Sequence, residues 1–154
     1  MASDRPEVSA FFSELHSGIF KPRGYSKLRR TFQKEEDSYA MAFQFQGSDW
    51  NSALSPWRFY LNAGLRFPDL PRRNPDRDFP TIHSWIRVGS TLSEWAEPHY
   101  EVVEEEQKLL VGKIAAVVED CQRYFAANHE LLRQKYALKA VSYLGYLDEA
   151  LMKK

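Results

Sequence analysis

A chain of 154 residues fits one domain and is long enough to bury a core. Its hydrophobic fraction of 44% and aromatic fraction of 14% exclude a disordered body. Basic and acidic residues balance at 21 each, which argues against a dedicated nucleic-acid or anionic-membrane binder, whose domains carry net positive charge.

Residues 5–19 are expected to form a helix. Asp4 followed by Glu7 resembles a capping box, Pro6 suits the first turn, and Val8, Phe11, Phe12, Leu15 and Ile19 recur at three-and-four spacing. Gly18 and Pro22 are expected to end it. A basic strand follows over 25–34, with Leu28, Arg30 and Phe32 on one side. The polar turn Glu35-Glu36-Asp37-Ser38 has hairpin length and leads into a strand at 39–46. After a loop from Gly47 to Pro56, a third strand runs from Trp57 to Phe67. Pro68 to Pro80 reads as a long surface loop, expected to lean towards disorder. The fourth strand covers 82–89, and Ser93 caps a short turn stopped by Pro98.

Helical periodicity resumes at Val102 or Val103 and continues through Leu110, Ile114, Val117, Cys121 and Tyr124 or Phe125. Asn128 is expected to break it, with further helical segments from Leu131 to Leu151. The order helix, four strands, helices predicts an α+β fold. In it, a four-stranded antiparallel meander carries the N-terminal helix and C-terminal helices on its apolar face. The whole chain is one domain, with a core over about 5–128 and a C-terminal helical extension over 129–154.

Three of the strands alternate with period two, so each splits into two rows. One row is apolar: Met41, Phe43 and Phe45, then Phe59, Leu61, Leu65 and Phe67, then Ile82, Ile86 and Val88. The other holds Gln44 and Gln46, then Arg58, Tyr60 and Asn62, then His83, Trp85 and Arg87. A plain solvated face would favour Lys, Glu and Thr. This row instead gathers hydrogen-bonding and aromatic groups, so these eight residues form the candidate binding surface. Pairing in chain order would set Arg29, Gln44, Tyr60 and His83 or Trp85 side by side, with Asn62 and Arg87 close. The bland alternative is a covered face whose polar groups satisfy one another.

Catalytic and cofactor signatures fail in turn, so no catalytic residue, metal site or cofactor is assigned. The histidines His16, His83, His99 and His129 lack metal-site spacing, and His99 with Glu101 and Glu104 reads as a solvated helix start. No phosphate-cradling glycine loop or Gly-x-Ser-x-Gly elbow is present. Cys121 sits in an apolar helical stripe and reads as a buried, inert thiol. Two charge blocks stand apart. Residues 21–34 hold Lys21, Arg23, Lys27, Arg29, Arg30 and Lys34 without an acid. Residues 94–106 hold Glu94, Glu97, Glu101, Glu104, Glu105 and Glu106 without a base. Such blocks suit steered association, or else are an edge hairpin and an acid-rich helix start.

Several short motifs recur in one order: Gly24-Tyr25, Thr31-Phe32, Phe43-Gln44-Phe45-Gln46, Phe59-x-Leu61-Asn62-x-Gly64, His83-x-x-x-Arg87-Val88-Gly89, and Ser93 with Trp95. In these the chain resembles the bacterial domain-of-unknown-function family numbered 4304, over roughly residues 8–130. The resemblance implies a leading helix, aromatic and glutamine-bearing strands, closing helices and no established activity. Trp85 stands where the family's first arginine is expected, so a paired-arginine anion site is not implied. Small families of this kind travel with toxin systems as immunity proteins, which is an association and not a physical warrant.

The residues favour a non-enzymatic protein-binding domain, in its sharpest form an immunity-like inhibitor. The alternative is a small-molecule or nucleotide site, with Arg87 on an anion, His83 as acid or base, Asn62 orienting and Trp85 or Tyr60 stacking. Nucleic acid is disfavoured by the neutral charge. No apolar run reaches the roughly 18 residues of a membrane span, and the opening Met-Ala-Ser-Asp-Arg-Pro-Glu lacks a signal-peptide core, so a cytoplasmic setting is expected.

Overall fold

The computed structural model describes residues 5–49, 51–52, 54–69 and 84–139, with backbone only at 84–85 and 135–139. Asp4, Trp50, His83, the segment 70–83 and residues 140–154 therefore lie outside the described residues.

Helix α1 spans Pro6–Leu15 and buries Val8, Phe11, Phe12 and Leu15. Arg5 occupies the N-cap position in an extended conformation without a side-chain cap. Gly18 and Pro22 do not stop the helical path, contrary to expectation. A π-helical turn, His16–Phe20, follows directly and leads into the 3-10 turn Lys21–Arg23. The π turn widens the spacing to i→i+5, with the Lys21 amide donating to the His16 carbonyl, so Ile19 and Phe20 both stay on the buried side. Gly24 ends the path at φ 88°, a left-handed conformation that favours glycine.

The sheet has six strands, more than the expected four. The expected basic strand is a hairpin: β1, Ser26–Leu28, turns at Arg29 and Arg30 into β2, Thr31–Glu35. Arg29 takes φ 55° there, without the glycine or asparagine that usually marks such a turn. The reversal separates Leu28 from the buried Phe32 and leaves it 41% exposed. Next come β3, Ala40–Gly47, and β4, Trp57–Arg66, antiparallel along their length. The far side of β4 is shared. Residues 62–65 pair with β5, Ser84–Arg87, and residues 57–59 pair with β6, Tyr100–Val102. Val102 thus belongs to a strand and does not begin the helix. The rest forms the expected chain-order meander, β1 to β5, in an α+β fold.

Helix α2 runs from Gln107 to Lys139 without a break at Asn128. The Asn128 side chain donates to the Tyr124 carbonyl one turn back at 2.8 Å, which accommodates it in the helix. Ile114, Val117, Val118, Cys121, Phe125 and Leu132 form the buried stripe. Gln107 of α2 donates to Glu14 of α1 at 2.7 Å, and Gln122 donates to the Tyr25 hydroxyl at 2.8 Å. The apolar row of the sheet faces these helices: Met41, Phe43, Phe45, Phe59, Leu61, Leu65 and Phe67 are all at most 2% exposed. Phe11 and Phe12 of α1 pack on Phe45, Phe59 and Trp57, and Phe20 stacks on Phe32 at 4.0 Å. No described helix is long and apolar enough to cross a membrane.

Candidate functional site

With the apolar row committed to the helices, the pleat turns Gln44 and Gln46 of β3, Arg58, Tyr60 and Asn62 of β4, and Arg87 of β5 to the opposite face. The register differs from the expected one at both strand pairs. Gln44 lies opposite Asn62, Asn62 opposite Arg87, and Gln46 opposite Tyr60, while Arg29 sits in the hairpin turn away from the row. Thr31 of β2 extends the Gln44–Asn62–Arg87 row on its other side. Trp85 pairs through its backbone with Gly64, and His83 lies outside the described residues.

Asn62 is the hub. Its Nδ2 donates to Gln44 Oε1 at 3.1 Å and to Gln46 Oε1 at 3.0 Å, and its Oδ1 accepts from Arg87 Nε at 3.2 Å. Arg87 Nη2 donates to Gln46 Oε1 at 3.1 Å. A guanidinium only donates, so both amide oxygens must turn towards Arg87, and the Asn62 amide nitrogen is thereby aimed at the glutamines. The Arg87 guanidinium also lies over the Tyr60 ring, 4.1 Å from its centroid. Asn62 is buried, Gln44 and Tyr60 are half-buried, and Gln46 and Arg87 are exposed.

Arg58 stands apart from this network. It pairs across to Glu101 of β6 at 3.6 Å, and its backbone is gripped by the Asn51 amide, which accepts at 2.6 Å and donates at 2.8 Å. The other half of the face is closed and built of small residues: Ala40, Ala42 and Gly64 are buried there. Gln33, on the same face opposite Ala42, is 4% exposed, and its Oε1 has no hydrogen-bond partner among the described residues. The surface is thus a half-open polar network beside a closed patch. Its amide and guanidinium groups bind and orient; the described part brings no nucleophile or general base to them.

A second feature escaped the sequence reading. The acidic block does not form one helix face. It spans the turn before β6, β6 itself and the 3-10 turn Glu104–Glu106. There Glu97, His99, Glu101, Glu106, Leu109 and Lys113 line a cleft of about 350 Å³. Leu109 is 63% exposed, and the signal for it was present: it falls out of phase with the stripe through Leu110, Ile114 and Val117. Lys113 reaches Glu97 at 3.6 Å, so part of the acidic charge is already answered.

Cys121 is fully buried, and burial, reinforced by the neighbouring Asp120 charge, pushes its thiol up to about 12. Burial also raises Tyr25 and Tyr100. These acids hold their protons in the folded chain at a pH where the unfolded chain has released them. The thiol's share of stability is therefore complete below about pH 9 and is lost as pH rises towards 12, while the tyrosines' share begins to fall only above about pH 10. Unfolding free energy is expected to fall between pH 8 and about pH 10.5, by about 2 kcal/mol for the thiol alone. Urea midpoints at the two pH values measure the fall, and Cys121→Val should remove the thiol's share while leaving the tyrosines' share.

Compared with known proteins, the chain matches no family model, no curated sequence and no solved structure.

Proposed function

We propose that this chain is a non-enzymatic, cytoplasmic protein-binding domain whose recognition surface is the polar sheet face around Tyr60 and Arg87. The observation that carries the reading is the state of Arg87. It is exposed, yet stacked on Tyr60 at 4.1 Å and tethered to Asn62 and Gln46. Arginine and tyrosine are enriched among residues that dominate interface energy, and a side chain fixed beforehand loses less entropy on binding. Asn62, Gln44 and Gln46 satisfy one another, which weighs against a polar pocket built to enclose a small ligand. The exposed basic hairpin and the acidic cleft supply opposite charges for steering.

In its sharpest form the domain is an immunity-like inhibitor that blocks a partner by covering it. Co-purification from the native host is expected to yield a stoichiometric partner. Gln46→Arg, which puts a bulky charge at the exposed edge of the network, should weaken that partner at least about 30-fold, as for an interface hot spot. Absence of any stoichiometric partner overturns the reading.

A further inference from the structure

Resting on that reading, we infer that Arg87 is the receptor for a single carboxylate of the bound protein, an aspartate or glutamate side chain. The described arginines are mostly spoken for. Arg5, Arg23, Arg58, Arg66, Arg123 and Arg133 each pair with a carboxylate of this chain. Arg87 does not: its neighbours are two amide oxygens and a phenol ring, all neutral. Its charge is held in place and left uncompensated among the described residues.

The way it is held selects the ligand. A guanidinium presents two forked edges, the Nε/Nη2 side and the Nη1/Nη2 end. Asn62 and Gln46 occupy the side edge, and Tyr60 covers one flat face. The end edge is left pointing away from the network, where Arg87 is exposed. Two parallel N–H groups at that spacing match the two oxygens of a carboxylate. Charge then separates carboxylate from phosphate. Arg58 is tied to Glu101 at 3.6 Å and Arg66 to Glu35 at 2.6 Å, so among the described residues the face offers one unspent positive charge, suited to a monoanion.

The test follows the arginine side-chain N–H signals of the ¹⁵N-labelled full chain by NMR. N-acetylglutamate methylamide serves as the carboxylate probe, with inorganic phosphate and chloride at matched ionic strength. The Arg87 Nε signal should shift saturably with the carboxylate probe, while those of the exposed Arg29 and the paired Arg58 move no more than they do in chloride. The inference is overturned if Arg87 responds no differently from Arg29, or if phosphate saturates it at lower concentration. The outcomes also separate the two readings. A saturable Arg87 response with no stoichiometric protein partner keeps the carboxylate site and removes the protein-binding function. A partner held equally by wild type and Arg87→Gln keeps the function and removes the carboxylate site.

Discussion

Replacing Phe45 by alanine is expected to cost about 3–5 kcal/mol of unfolding free energy, the upper range for a core substitution. Phe45 is 1% exposed, and its ring centroid lies 5.4–6.4 Å from those of Phe11, Phe12, Phe20, Phe32 and Phe59. These rings come from α1, the π turn, β2 and β4, so one side chain ties the helical layer to three adjacent strands. Edge-to-face pairs add to the area term, and a hole bounded by rigid rings and a hydrogen-bonded sheet collapses poorly. Domains of this size are typically stable by about 5–15 kcal/mol, so the loss takes a large share of the total. Urea unfolding of Phe45→Ala and Phe45→Leu measures it, with leucine expected to cost about 1–2 kcal/mol. An alanine cost below that leucine range would show that the aromatic layer relaxes around the gap.

That aromatic row was readable in the sequence because Met41, Phe43 and Phe45 alternate strictly with polar or small residues, and only one pleated surface buries such a set. The layer order was readable for the same reason. Local signals failed where tertiary contacts decided. Arg29 turns the β1–β2 hairpin at a positive φ that its residue type does not advertise. The three-residue strand Tyr100–Val102 is too short to show a period, and Val102 fits the phase of the following helix equally well. Asn128 has poor helix propensity, yet α2 passes through it. Leu132 beyond it is buried, and His129 stacks on Tyr39 at 4.4 Å. On the candidate site, alternation placed Gln44, Gln46, Tyr60, Asn62 and Arg87 on one face correctly. It could not give the register, which depends on loop geometry between strands, so the hub role of Asn62 became visible only in the fold.

Asn62→Asp should separate the two roles of that hub, leaving the fold nearly intact while removing recognition. The new carboxylate would keep the acceptor that Arg87 Nε uses at 3.2 Å, and would add a negative charge beside it. Its side chain no longer donates to Gln44 and Gln46; the Gln44 amide can rotate to donate towards it, while Gln46 keeps its oxygen on Arg87. Polar satisfaction is therefore restored in part, and the new ion pair offsets the desolvation of a group that is 8% exposed in the wild type. Unfolding free energy at pH 7 should fall by no more than about 1–2 kcal/mol. Arg87, however, would then be paired like the other arginines. The saturable response to the carboxylate probe should vanish, and partner affinity should fall at least about 30-fold, as for a lost hot spot. Asn62→Ala supplies the contrast. It frees Arg87 without neutralising it, costs about 1–2 kcal/mol through the glutamines left unbonded, and should retain a weaker response. If Asn62→Asp instead keeps wild-type affinity for the partner, the unspent charge of Arg87 is not what the partner reads.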